Sequence, residues 1–285
     1  LLNRFSRLMT FNNSLKVKNR IGRCIIRTMI FDVFSGEFQS GNPCGVVMLD
    51  EWLTDAELLQ LSQQLGQPVT SFLIESNGQF QIRWFSLESE INLCGHGSLG
   101  AGAFLIIEYQ LNKVDLHSQY GTVTVQKRDE GYCITLPAWK GESGVIPESL
   151  NGSFMQVDDV FFTRDLVIVL PDEQSVANFL PDQQKIKQIR KHHALIVTAS
   201  SGDSEYLLRY FAPNIGIDED LATGSAQCSL APYWFDKLGV ETLSVRQLSK
   251  AGGLFHVEKA SDSLVTVIAN VTLRTLIVDK RKRKL

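Results

Sequence analysis

The chain has 285 residues with 28 Lys plus Arg, 31 Asp plus Glu, 44% apolar residues and five cysteines. That length and apolar share suffice for two cores and exclude a disordered tail or a collagen-like fibre. The longest strongly apolar stretch, around residues 99–107, is far short of the roughly 18 residues at which a span is suspected, so no membrane partner is expected.

The charge is segregated. Residues 1–28 hold seven basic side chains and no acid, and residues 280–284 are five more basic ones. The body between them sets 16 basic residues against all 31 acids, a net −15, which is a poor surface for nucleic acid. The lead, 1–28, reads as a basic N-terminal extension ahead of Met29, and 276–285 as a solvated basic tail. Cys24, Cys44, Cys94, Cys133 and Cys228 are odd in number, widely spaced and never in a Cys-x-x-Cys pair. Neither a disulfide framework nor a zinc knuckle is expected, and the compartment reads as reducing, hence cytoplasmic.

Strands are predicted at 28–34, 44–49, 69–75, 81–85, 121–126 and 132–136, where alternating or β-branched runs are bounded by Gly, Asn or Pro. A helix follows Thr54, whose Thr-Asp-Ala-Glu is a capping box with Glu57 reaching back, and Leu58, Leu61 and Leu65 form its apolar face. A second helix, 95–109, is apolar nearly all round and rich in Gly, Ala and Ser, so it should be buried against closely approaching strands. From Ala138 the order returns: strands at 165–170, 194–199, 206–211, 243–248, 254–259 and 263–271, helical stretches at 173–180 and 183–192, and a buried helix at 224–238.

The repetition is visible in the residues. Arg83-Trp84-Phe85-Ser86 is echoed by Arg209-Tyr210-Phe211-Ala212 at an offset of 126. Glu90-x-x-x-Cys94-Gly95-His96-Gly97 is echoed by Glu219-x-x-x-Thr223-Gly224-Ser225-Ala226 at an offset of 129. A period this long is no solenoid. It predicts an α+β fold of two pseudo-symmetric lobes, 29–137 and 138–275, each a mixed β-sheet wrapped round a central helix.

In each half a loop opens a buried helix with Gly in its first turn, and a pseudo-twofold would set the two helix starts face to face. Free first-turn amides and two positive dipole ends make a carboxylate site, with Gly95, Gly97 and Gly224 permitting close approach. Cys94 and His96 stand on one rim, Asp220, Thr223 and Ser225 on the other. Proton carriers on both walls of a bound carboxylate suit proton transfer next to a carbonyl, with no cofactor required. Cys94 alone would be a small hydrophobe, but beside a helix N-terminus a thiol's pKa falls. Asp220 could simply cap the next helix. Cys94-x-His96 lacks the second pair of ligands that a zinc site uses, so no metal is expected.

At these residues the chain resembles the phenazine biosynthesis PhzF-like proteins, within the diaminopimelate epimerase fold. The matching segments are Asp32-Val-Phe, Gly41-Asn42-Pro43-x-x-Val46-Val47, Arg83-Trp84-Phe85, Cys94-Gly95-His96-Gly97-Ser98 and Arg209 through Ala226. The resemblance implies a two-lobed, usually homodimeric protein acting without cofactor on small carboxylic acids. It places the family's histidine, aspartate and serine at His96, Asp220 and Ser225, and brings Asn42 into the substrate site.

One segment departs. The family's proton-transferring glutamate lies in Ser-Glu-Thr-x-Phe, and the corresponding run is Pro68-Val69-Thr70-Ser71-Phe72, with Val69 unable to move a proton. The related epimerases and racemases place thiols at the positions of Cys94 and Thr223, whereas hydroxyproline dehydratases keep only the first. Three readings therefore stand: an isomerase with Cys94 as base and Asp220 or His96 as acid, a single-thiol dehydratase, and a catalytically silent carboxylate-binding protein.

Overall fold

The computed structural model describes residues 17–18, 24–92 and 94–277. Most of the basic lead, the tail from residue 278 and the side chain of Cys24 lie outside the described residues. Among the described residues eighteen strands form one continuous hydrogen-bonded ladder that curls into two mixed lobes. The N-terminal lobe runs from Cys24–Val33 through Asn42–Leu49, Val69–Ser76 and Gln79–Phe85 to Lys113–Ser118, Gly121–Arg128 and Gly131–Pro137. The C-terminal lobe repeats the plan from Asp159–Phe162 through Leu166–Val169, Leu195–Gly202 and Glu205–Phe211 to Thr242–Gln247, Gly253–Ser261 and Leu264–Ala269.

Two pairings tie the lobes together. Gly131–Pro137 pairs with Leu264–Ala269, and the last strand, Val271–Ile277, returns to pair with Cys24–Val33. The strand predicted at 263–271 thus breaks at Asn270 into two, each pairing with different neighbours of the one ladder. Lys113–Ser118, Asp159–Phe162 and Val271–Ile277 are strands beyond those predicted.

Helix α1 (Asp55–Leu65) packs outside the N-terminal sheet and begins with the expected capping box: Thr54 Oγ1 accepts from the Glu57 amide, and Glu57 Oε2 accepts from the Thr54 amide at 2.8 Å. Helix α2 (Gly95–Tyr109) lies inside the same sheet, with every residue from Gly97 to Ile106 buried. Its small residues are needed there: a Cβ at Gly100 would run into the Cys44 sulfur and one at Gly102 into Val125. The C-terminal counterparts are the short outer helices α3 (Glu173–Ala177) and α4 (Gln183–Ile186) and the inner α5 (Gln227–Leu238). The outer pair are shorter than the predicted 173–180 and 183–192. Asp172 and Asp182 cap their starts, Asn178 closes the first, and Pro181, which cannot continue a helix, separates the two. The predicted helix at 224–238 opens instead as a tight 3-10 turn, Gly224–Ala226, before α5 begins. One apolar core, running from Phe31 and Leu99 through Trp234 to Ala269, spans both lobes. Among the described residues no helix is long and apolar enough to cross a membrane.

Candidate active site

The two helix starts meet. Helix α2 lies beside the Gly224–Ala226 turn, and Gly224 packs so closely on Phe34 that an added Cβ would sit 2.9 Å from its ring. Phe34 itself is fully buried at a positive φ of 65°, a costly backbone for a bulky side chain, and is pinned by hydrogen bonds to Asn270 and Leu254. Beyond it Gly41, at φ 70°, turns the chain so that Asn42 enters the next strand from beneath the site; a side chain there would strike the Val33 carbonyl.

Cys94 is the N-cap of α2. Its sulfur accepts from the Gly97 amide at 3.3 Å and lies 3.3 Å from His96 Nδ1. The thiol lies out of water, and that burial pushes it up to about 12, outweighing the lowering effect of the Gly97 and His96 amides. The fall expected from a helix N-terminus therefore does not occur. A protonated thiol that accepts from the Gly97 amide is placed to donate to His96 Nδ1, and in that tautomer the ring hydrogen sits on Nε2. Burial holds His96 down to about 4, so the ring is neutral, and Nε2 is enclosed with no partner among the described residues. Ser71 fixes the loop from the sheet side by donating to the Gly97 carbonyl at 2.9 Å. Val69, two residues earlier on the same strand face, is buried in the common core.

The opposite wall is a hydrogen-bonded cluster around Asp220. Asn42 Nδ2 donates to Asp220 Oδ1 at 3.0 Å and to the Ala222 carbonyl at 2.9 Å, and Thr223 Oγ1 donates to Asp220 Oδ2 at 2.5 Å. Despite these bonds, burial raises the carboxyl to about 6. Because α2 lies against the Gly224–Ala226 turn, this carboxyl also helps to raise the Cys94 thiol. Gln247, buried on a strand face it shares with Leu243 and Val245, accepts from the Thr223 amide at 2.8 Å and donates to the Asp220 carbonyl at 2.7 Å. Gln247 was not foreseen; its signal in the sequence is an amide on an otherwise apolar alternating face. Ser225 stands at the rim, its hydroxyl 3.3 Å from Arg164 Nη2. Arg164 was not foreseen either.

The amides of Gly95, Gly224 and Ser225 have no acceptor among the described residues. Two salt bridges brace the loops that deliver the walls. Arg83 grips Glu90 ahead of Cys94, and Arg209 grips Glu219 beside Asp220 through Nε and Nη2 at 2.8 and 3.0 Å. They are the echoed pairs of the sequence repeat.

The model of the PhzC-PhzF family, phenazine biosynthesis-like proteins, matches residues 31–261. The chain belongs to this family. A Vibrio cholerae protein described as an uncharacterized isomerase is 52% identical over 90% of this chain and 92% of its own length. Among solved structures, a phenazine biosynthesis PhzF-family protein of Enterococcus faecalis superposes with a TM-score of 0.81 at 31% identity, covering 87% of this chain and 96% of the other. A putative PhzC/PhzF protein of Clostridium difficile gives 0.83 at 30% identity, over 89% and 99%. The α+β two-lobed architecture expected from the repeat is the fold of this PhzF-like family.

Proposed function

We propose that this PhzF-like protein is a cofactor-independent isomerase that moves a proton beside the carboxylate of a small unsaturated acid, with Asp220 as its one proton carrier. The observation that carries this reading is a carboxyl held at about 6 beside unpaired helix-start amides. A base poised near neutrality both takes and returns a proton efficiently. The substrate carboxylate sits on the amides of Gly95, Gly224 and Ser225. Asp220 takes the proton from the adjacent carbon, and the C–H electron pair moves toward the carboxylate. The resulting enolate-like oxygen is met by the amides and by the Nε2–H of neutral His96. Asp220 then returns the proton two carbons on as the double bond shifts, so the balance closes without any other reactant.

Asn42, Thr223 and Gln247 orient the carboxyl, and Cys94 orients His96. A thiol protonated up to about 12 favours that supporting role over the base of a dehydratase. With Val69 apolar, one carrier works from one face, which favours a double-bond shift over inversion at carbon. The isomerase description of the Vibrio cholerae relative agrees with this class of reaction. The test is NMR of candidate unsaturated acids carrying deuterium beside the carboxylate, incubated with the protein in ordinary water. Part of the label should reappear two carbons away in the product. Absence of any label movement or washout across the panel at high protein concentration refutes the reading, and complete washout with inversion refutes the single-carrier form.

A further inference from the structure

Asn42 has a counterpart in the other lobe. Cys44 pairs with Val69 and Leu166 with Leu195 in equivalent parallel ladders, and Val69 and Leu195 are separated by the repeat offset of 126. The residue two before Cys44 is Asn42, which reaches the Asp220 cluster; the residue two before Leu166 is Arg164. Arg164 likewise borders the site, but from the Ser225 side, and it brings a cation into a cleft otherwise served by dipoles.

Its guanidinium is held rigidly. Nε and Nη2 donate to the two oxygens of Asp165 at 3.2 and 2.9 Å, and Asp165 is wholly buried. Nη2 also lies 3.2 Å from the Tyr210 hydroxyl and 3.3 Å from Ser225 Oγ, and the plane rests over the Trp139 ring at 5.3 Å. Nη1 has no hydrogen-bond partner among the described residues, and 36% of the side chain remains exposed. Nη2 is taken up by Asp165 and by Tyr210 or Ser225, so what the fixed guanidinium leaves open is Nη1, whose two N–H groups can donate to one end of a carboxylate. The helix-start amides already supply one carboxylate site, and Arg164 lies beyond Ser225 from it.

We propose that Arg164 holds a second carboxylate, so that the acid this cleft takes is a small dicarboxylic acid. The inference rests on the reading that the helix starts bind the first carboxylate, and the experiment separates the two. Calorimetric titration compares malonate, succinate and glutarate with acetate, propionate and butyrate. At least one dicarboxylate should bind the wild-type protein ten times more tightly or better than the monocarboxylate of equal carbon count or one carbon fewer. Arg164→Gln alone strands a buried Asp165, so the double variant Arg164→Gln/Asp165→Asn, which removes both charges, is tested beside Arg164→Lys. In the double variant the ratio of the two affinities should fall to within twofold of unity, and in Arg164→Lys it should be intermediate. Equal affinity of both series for the wild-type protein overturns the role of Arg164 alone, as does an undiminished ratio in the double variant. Failure of both series to bind the wild-type protein overturns the helix-start site and Arg164 together.

Discussion

Replacing Asp220 by Asn tests the base and the physics of its environment in one protein. The folded carboxyl titrates at about 6 against 3.8 in an unperturbed chain, because burial disfavours its charged form more than Asn42, Thr223 and the neighbouring amides favour it. The folded state therefore binds a proton that the unfolded state has released over this window. Stability is highest with Asp220 protonated, falls as pH rises from about 4, and has lost its full increment above about 6. At 1.36 kcal/mol per pKa unit the increment is about 3 kcal/mol. The amide introduced by Asp220→Asn has no proton to lose and can still accept from Asn42 and satisfy Thr223. Urea unfolding at pH 4, 5, 6 and 7 should show the variant gaining on wild type by about that amount between the first and last points. Label movement in the same variant should fall by roughly two to four orders of magnitude, and wild-type activity should rise with pH through about 6 as the base form appears. Parallel pH–stability curves for the two proteins, or exchange retained by the variant, would refute the assignment.

Cys94→Ser keeps a cap for the Gly97 amide and a donor for His96 Nδ1, so label movement should stay within about tenfold of wild type; Cys94→Ala loses both and should fall by about a further tenfold. If the thiol were the base, serine would already cost at least about a hundredfold. Gly100→Ala forces a methyl group into the Cys44 sulfur and should lower unfolding free energy by about 1–3 kcal/mol in urea, whereas the same change at solvent-facing Gly66 lacks any clash and meets only the strain of its left-handed backbone. Arg209→Gln leaves Glu219 without its paired bonds and the Phe179 carbonyl without its 2.7 Å donor, so stability should drop by about 1–3 kcal/mol by thermal or urea melts, with KM rising as the Asp220 loop loosens.

Features written in short-range patterns were legible. The Thr54 capping box, the bounds of α2 and the doubled architecture all follow from local spacing and from the echoed Arg-x-Phe and Gly-containing motifs. Elements that depend on a distant partner were not. Lys113–Ser118 turns only Val114 and Leu116 fully inward, too few for a period to register, and Val271–Ile277 is a strand because Cys24–Val33, at the other end of the chain, accepts it. The same division runs through the site. Cys94, His96, Asp220, Thr223 and Ser225 were singled out from two loops, and the structure brings them to one place. Gln247 lies 24 residues from Thr223 and Arg164 lies 61 from Ser225, where a lone Gln in a strand or an Arg-Asp turn announces nothing. The Cys94 shift runs opposite to the sequence expectation for a related reason: proximity to a helix start is a local effect, whereas burial is a tertiary one, and here burial is the larger.

On the proposed reading, the repeated unit accounts for the paired helix starts and its broken symmetry for the reaction they would favour. Two copies of one loop-and-helix unit bring two sets of free amides together, which an acidic body of net −15 needs in order to gather an anion by local dipoles against its own field. The proton-handling residues, however, did not stay equivalent. The Cys94 side carries a neutral imidazole and a protonated thiol with Val69 beneath them, and the Thr223 side carries a carboxyl poised at about 6. A racemising site needs comparable carriers on both faces; the proposed reaction needs only one carrier, with a donor-rich opposite wall to stabilise the enolate while the proton returns from the side it left. The divergence of Asn42 from Arg164 continues the same asymmetry: the amide donates to Asp220, whereas the guanidinium is paired with Asp165 and keeps Nη1 open for the proposed second carboxylate.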